Sequence, residues 1–446
     1  MLLEKILEFL PLAISLFILL GAIILTIKTR FIQFRTIPQM TKLLFKSFFK
    51  KKKTENDTET IESYKALFTA MSTSIGIGNI VSPIIAIKLG GPGALLAFIL
   101  AAIFGSASTF AEVTFALKYR QYNPDGTISG GPMPYIKKVL PPFFAMLYAV
   151  ATFATLVIWS GNQANAISDL LQARGIPTYI TGIILTITIM YLLIGGIQRV
   201  ANFSTRLVPI MFLLYCSATL WIIFNNISKL PSIINLIFRS AFTPQAIFGA
   251  GVGYGLQTAL RWGLAKGFFA NEAGLGTATI PHSMAKTKSA INQGILSMIS
   301  VYSNGFLCLL SGLAVLLTET WLDPSLGSGI NILAKSLNLY FSNFGVIILS
   351  LSLFLFVFGT IVGNSYNGSQ CYLYATKNRW LNYYYILIAI VVFLGSVTDV
   401  VFLANITDFF LIPIAIPNII GVLLLAFKES ETLKINSSAN LNIKAK

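Results

Sequence analysis

Charged side chains are scarce: Asp, Glu, Lys and Arg together make up 11% of the 446 residues, against roughly 25% in an ordinary soluble domain. That shortage excludes most water-soluble folds. Histidine is nearly absent, and one residue, His282, cannot assemble a multi-histidine metal site or an imidazole relay. The three cysteines, Cys216, Cys308 and Cys371, stand singly inside apolar runs without CxxC spacing, so they read as small core residues. Neither G-x-S-x-G nor HExxH occurs, and Ser283 beside His282 on a helix cannot face it, so no enzyme is expected. Acidic residues are outnumbered by basic ones, 16 against 32, for a net charge of +16. In a soluble protein this excess would point to nucleic acid. Here the basic residues sit between apolar runs, where they set membrane topology instead, and no nucleic-acid partner is expected.

What the chain does have is apolar length. Eleven runs, near 10–28, 65–89, 93–118, 143–167, 178–196, 207–227, 248–280, 291–318, 343–373, 381–397 and 400–427, are each long enough to cross a hydrocarbon core of about 30 Å as a helix. The expected fold is an all-α polytopic membrane protein of about eleven transmembrane helices. With the amino terminus outside, 24 Lys and Arg fall on the cytoplasmic side, six outside and two within a span. That imbalance orients the chain with its carboxyl terminus in the cytoplasm. The first run lacks a small-residue cleavage site and is followed by a basic flank, so it reads as a retained anchor. The segment 50–62 (KKKKTENDTETIE) reads as a solvated linker and the Asn/Ser/Lys-rich tail 429–446 as disordered.

Two spans are interrupted. In the second, MSTSIGIGNIVSP (71–83) places Gly76, Gly78 and Asn79 at mid-membrane after the hydroxyls of Ser72, Thr73 and Ser74. In the seventh, KGFFANEAGLG (266–276) places glycines around Asn271 and Glu272. Irregular backbone at that depth is tolerated only where it lines a cavity or is buried in protein, because an unpaired amide in lipid costs several kcal/mol. Without the first helix, ten spans remain, and each set of five begins with its broken member. An odd number per set inverts one half relative to the other, which is the pattern of an inverted-repeat secondary transporter with its site near the midplane. Four segments follow: residues 1–64 (anchor and basic linker), 65–227 (first repeat), 228–428 (second repeat with its leading loop) and 429–446 (tail).

At these residues the sequence resembles the alanine or glycine:cation symporters, a prokaryotic family related in fold to the LeuT-type sodium symporters. The resemblance rests on SIGIGNI (74–80), KLGGPGAL (88–95), AEVTFALKYR (111–120), GGPMPYI (130–136), GNQANAISD (161–169), GFFANEAGLGTATIPHSMAKT (267–287) and, more weakly, FGTIVGNSYNGSQCYLY (358–374). It implies a LeuT-like 5+5 core preceded by one extra helix in a prokaryotic plasma membrane. It also implies uptake of a small neutral amino acid, alanine or glycine, driven by an inward sodium gradient, with no cofactor beyond the coupling ion. A proton-coupled or exchange-type carrier and a channel stay open as alternatives. The chain departs from the family where Ile77 replaces a common Thr and Asn364 replaces an aromatic Trp. The second change enlarges the pocket, so serine joins the expected substrates. A monomer is expected.

A zwitterion needs donors for its carboxylate and acceptors for its ammonium. The half-helix that begins at the first break points free backbone N–H groups and its positive dipole end into the gap, so the amides around Ile77, Gly78 and Asn79 are the expected carboxylate donors. Carbonyls left unpaired between Ser72 and Ile75 suit an alkali cation. The resemblance adds the Thr360 hydroxyl to the Ser72 and Ile75 carbonyls as one cation site, and allows Ser74, Asn79 and Asn304 as another. Thr73, Gln163, Asn271 and Asn364 are expected at the substrate, with Phe269 as a cap and Asn271 able to join either site. Ionisable Glu112, Arg261, Lys266, Glu272 and Asp408 fall within spans. Arg261 or Lys266 is expected to pair with Glu272, in preference to a proton-carrying role for Glu272, or else with Glu112, and Asp408 has no evident partner.

Overall fold

A computed structural model describes residues 2–49, 60–123, 128–172, 175–242, 256–327, 329–398 and 401–435. Most of the linker 50–62, most of the tail 429–446 and the side chains of Arg261 and Asp408 lie outside these. The helices in chain order are α1 (Leu2–Lys28), α2 (Ile32–Arg35), α3 (Ile37–Phe49), α4 (Ser63–Ser74), α5 (Ile77–Gly90), α6 (Ala94–Tyr119), α7 (Pro132–Val139), α8 (Pro142–Gln172) and α9 (Thr178–Ile194). There follow α10 (Gly196–Asn225), α11 (Leu230–Phe242), α12 (Leu256–Asn271), α13 (Thr279–Ser283), α14 (Ala290–Leu317), α15 (Gly329–Phe341), α16 (Phe344–Ala375), α17 (Leu381–Val397) and α18 (Val401–Lys428). A two-stranded ribbon, β1 (Gln121–Tyr122) and β2 (Ile128–Ser129), joins α6 to α7.

Among the described residues, seven helices are long and apolar enough to span a bilayer, and α4 with α5 makes an eighth as a pair bent by 46°. The apolar helices α9 and α17 are shorter. The seventh expected span is the least regular: α12 stops at Asn271 and only the short α13 resumes the helix at Thr279.

The two halves of the chain interdigitate. Helix α14 lies along α6, α12 packs on both α5 and α6, and α16 runs against α8, α10 and α4. Large aromatic residues fill the interior and keep their hydroxyls paired, as burial of a polar tip requires. Tyr148 donates to the Leu275 carbonyl at 2.7 Å and Tyr384 to the Ser365 carbonyl at 2.7 Å. Outward faces carry Ile, Leu and Phe, as lipid contact demands.

Two features differ from the sequence expectation. The start of the tail is ordered: Ser430–Leu433 forms a 3-10 turn with Thr432 and Leu433 buried. Burial raises the Glu429 carboxyl, but hydrogen bonds from Lys118 and Tyr119 outweigh this and hold it below the usual carboxylate range. Helix α1 also starts before the apolar run, so Glu4, Lys5 and Glu8 lie within it.

Candidate functional site

The first break is shorter than its glycines imply. Only Ile75 and Gly76 leave the helix, both in extended conformation, while Ile77, Gly78 and Asn79 form the first turn of α5. The gap is stitched by one side chain. Asn79 Oδ1 accepts from the Gly76 amide at 3.0 Å, and its Nδ2 donates to the Ala270 carbonyl near the end of α12 at 3.0 Å. One amide thus pairs a donor that would otherwise be orphaned and ties the first break to the second. The Ile75 carbonyl accepts from the Thr360 hydroxyl at 3.0 Å, a proton that Thr360 shares with the Phe356 carbonyl at 3.0 Å.

This approach depends on small residues. A Cβ on Gly76 would lie 2.8 Å from Thr360 Oγ1 and 3.4 Å from Gln163 Nε2, so these two side chains converge on the unwound backbone. On α16, one turn apart, Gly359 and Gly363 let the helix close on Ser72 and Thr73; a Cβ on Gly363 would stand 3.0 Å from the Thr73 amide. The hydroxyls of Ser72, Thr73 and Ser74 bond back to carbonyls of their own helix, and Ser72 also meets Ser204 of α10 at 3.0 Å. At Gly78, by contrast, a Cβ would meet nothing closer than Ser82 Oγ at 3.7 Å.

Around the break stand amide side chains without protein partners. Both polar atoms of Asn271, Asn304 and Asn364 are buried and unbonded among the described residues, as is Gln163 Oε1. Each unsatisfied buried group costs about 1–3 kcal/mol, so several together mark a place built to receive polar matter. Their positions are consistent with one site. Asn364 lies one helical turn beyond Thr360, Asn271 follows Ala270, and Asn304 lies one turn before Cys308, which Asn79 reaches. Ile77, Gly78, Gln163 and Phe269 are only partly buried there. The arrangement offers carbonyl and hydroxyl oxygens for a cation, helix amides for a carboxylate and amide oxygens for an ammonium.

At the second break the polar groups that can be followed are neutral, and the Arg261 side chain lies outside the described residues. Glu272, in left-handed conformation with φ of 50°, accepts from Thr277 within its own loop. Neither Glu272 nor Glu112 forms an ion pair among the described residues. Instead the loop sits in a polar cage. Glu112 accepts from Ser108 at 2.7 Å and Asn418 at 3.2 Å, while Asn418 donates to the Gly274 carbonyl at 2.8 Å and accepts from Tyr135. Tyr148 holds Leu275 and Asn367 holds Thr277. Asn418, Tyr135, Tyr148 and Asn367 were not legible as partners, because they lie in four separate stretches of the chain and only the fold brings them together.

The sequence model of the sodium:alanine symporter family matches residues 2–440. The chain belongs to this family. It is 34% identical over 433 residues to the sodium/alanine symporter AgcS of Methanococcus maripaludis, covering 94% of each chain. It is 30% identical over 407 residues to a protein of Bacillus subtilis named as a probable sodium/glutamine symporter, GlnT, covering 90% of this chain and 83% of that one. The crystal structure of MhsT in complex with L-phenylalanine superimposes with a TM-score of 0.59 at 14% identity, covering 86% of this chain and 95% of that one, which shows the fold alone. The chain is therefore a multi-pass membrane transporter of LeuT-like fold, and not an enzyme.

In this transporter the segment ahead of α4 is sealed against the segment after α13 by groups the motifs did not single out. Ile61, just ahead of α4, pairs as a strand would with the segment after α13: its amide donates to the Met284 carbonyl at 2.9 Å and its carbonyl accepts from Lys286 at 2.7 Å. Arg120 reinforces that segment through the Ser283 and Ala285 carbonyls at 3.0 and 2.9 Å. Gln293 of α14 bonds His282 Nδ1 at 2.8 Å and the Ser63 carbonyl at 3.2 Å. His282, weighed above only as a metal ligand or catalyst, serves here to join α13 to α14. Beside the seal lies a cavity of about 460 Å³ lined by Ser129, Gln198, Tyr366, Ser369 and Gln370 among others.

Proposed function

We propose that this chain couples uptake of a small neutral amino acid, alanine or glycine with serine as a further substrate, to an inward sodium gradient by alternating access at the first break. One observation carries the reading: the unpartnered Gln163 Oε1 and the unpartnered amides of Asn271, Asn304 and Asn364 lie on the elements that meet a two-residue gap in a membrane helix. In this reading the Ser72 and Ile75 carbonyls with Thr360 hold the cation, and Ser74, Asn79 and Asn304 are the alternative or additional ligands. The amides of Ile77 and Gly78 take the carboxylate; Thr73, Gln163, Asn271 and Asn364 line the amino acid, and Phe269 covers it. The repeats run over 65–227 and 228–428, the basic face is cytoplasmic in a prokaryotic plasma membrane, and the protein works as a monomer. The sodium/alanine and sodium/glutamine designations of the two relatives support a neutral amino acid and leave its size to experiment.

The test is uptake of labelled alanine, glycine, serine and glutamine by proteoliposomes, with and without a sodium gradient. Saturable, sodium-dependent uptake and counterflow of the three small substrates is expected. Uptake driven equally well by a proton gradient in sodium-free medium would overturn the coupling ion. Non-saturable flux without counterflow would overturn the carrier mechanism.

A further inference from the structure

Between Lys28 and Phe49 the chain carries five basic residues, Lys28, Arg30, Arg35, Lys42 and Lys46, and no acidic one. The outward side of α2 and α3 mixes two kinds of residue that neither water nor hydrocarbon accepts together. Phe31, Phe34, Ile37 and Phe45 are 53%, 51%, 46% and 62% exposed, and Arg35, Lys42 and Lys46 are exposed among them. The spacing 31, 34, 35, 42, 45, 46 places all of them but Ile37 on one stripe of a helical path. Helices facing solvent have no cause to present three phenylalanines, and helices facing acyl chains cannot present two lysines and an arginine without cost.

The opposite side is firmly seated. Ile32, Gln33 and Thr36 are buried, Gln39 bonds Asn292 in the first turn of α14 at 3.2 Å, and Leu43 and Leu44 pack in the cluster that contains Tyr64 at the start of α4. The helix therefore lies level with the ends of two spans. The bilayer boundary is marked at the same level, because α1 ends at Lys28 and α18 at Lys428, and Lys28 Nζ sits 4.2 Å from the Phe427 ring. Aromatic rings and cations on one face at that boundary are the signature of a helix lying in the headgroup layer.

We propose that α2 and α3 form a docking platform for anionic phospholipid headgroups in the leaflet of the basic face. The phenylalanines enter the acyl boundary while Arg35, Lys42 and Lys46 bind headgroup phosphates. Through Gln39 and Leu44 the platform bears on α14 and on the start of α4, so lipid bound there stabilises the packed form of the transporter.

The full-length protein is placed in nanodiscs of phosphatidylcholine containing a rising fraction of phosphatidylglycerol, and its melting midpoint is recorded. Wild type gains stability with phosphatidylglycerol. In Arg35→Gln/Lys42→Gln/Lys46→Gln, the fraction giving half of that gain rises at least fivefold, since each basic residue at an anionic surface contributes about a factor of five. The exposed triple variant Lys137→Gln/Lys138→Gln/Lys377→Gln titrates like wild type. A nitroxide on Phe45→Cys, selective because the native cysteines are buried, reports the acyl boundary through oxygen accessibility. No gain from phosphatidylglycerol, an unshifted titration in the first variant, an equal shift in the second, or a water-exposed nitroxide would each overturn the proposal.

Discussion

Thr360 is the residue whose replacement reads most directly on the cation. Its hydroxyl stands 3.0 Å from the Ile75 carbonyl and would stand 2.8 Å from a Cβ on Gly76. Its oxygen is therefore at the unwound turn, and its proton is shared between the Ile75 carbonyl of that turn and the Phe356 carbonyl of α16. Thr360→Val keeps the branched shape that packs there and removes only the oxygen. If that oxygen is a ligand, the loss is that of a hydrogen-bond-strength contact to a charge, roughly 1.5–3 kcal/mol, or about 10- to 150-fold in sodium affinity. The fold loses one neutral hydrogen bond, about 1 kcal/mol, so expression and melting should change little. Thr360→Ser retains the oxygen and should stay within about threefold of wild type. The assay is initial uptake of labelled alanine into proteoliposomes across a sodium titration, with total alanine saturating. An unchanged sodium dependence in Thr360→Val, with normal expression, would refute the cation site at Ser72, Ile75 and Thr360.

Four further outcomes follow from the geometry. Gly76→Ala should impair folding or assembly, because its Cβ would meet Thr360, whereas Gly78→Ala should melt normally yet lose transport, because its Cβ meets no close neighbour and fills the space proposed for the ligand; melting and uptake measured on both variants check this. Asn364→Trp should narrow uptake toward glycine and alanine at the expense of serine, read in a competition panel. Arg120→Gln removes two bonds from the seal at Ser283 and Ala285, so a cysteine at Gln198 should react faster with a thiol reagent, by about tenfold if each bond contributes about 0.7 kcal/mol. Single cysteines at Lys137 and Lys229 should be shielded and labelled, respectively, by an impermeant reagent in intact cells, and the reverse pattern would invert the proposed topology.

The spans were legible because apolar length is a direct requirement of the bilayer, and both breaks were legible because glycine and hydroxyl clusters at mid-span have few other uses. What the residues did not reveal was where in the cluster the helix gives way. Gly76 and Gly78 look equivalent in SIGIGN, but a helix needs a nucleated first turn, and Asn79 supplies it by accepting from the Gly76 amide. The break therefore falls at Ile75 and Gly76, and Gly78 joins α5. Asn79, expected as a cation ligand, is seen with both ends of its amide engaged in the backbone of the two breaks. The amides of Gln163, Asn271, Asn304 and Asn364 were nameable in advance, but their lack of protein partners could be seen only once the helices were packed. The lipid-facing side of α3 escaped notice for a different reason: its run is too short and too basic to read as a span.

The second break shows how a loop at membrane depth is held by groups other than ion pairs. Counting ionisable residues in one span favours pairing them, since a lone charge in lipid is expensive. Pairing, however, takes two charges out of water, and in a protein interior the attraction recovers that cost only with excellent geometry and further hydrogen bonds. A loop of glycines has another solution available. Its exposed backbone already needs partners, and neutral amide and phenol groups from neighbouring helices supply them at lower desolvation cost, as Asn418, Tyr148 and Asn367 do for the carbonyls of Gly274, Leu275 and Thr277. Glu112 in turn accepts from Asn418 and Ser108. The cage draws on α6, α7, α8, α16 and α18, so the second break is anchored from several directions. The first break hangs chiefly on Asn79 and Thr360, and that difference is why substitutions at Gly76, Asn79 and Thr360 should be felt in transport sooner than equally conservative changes within the cage.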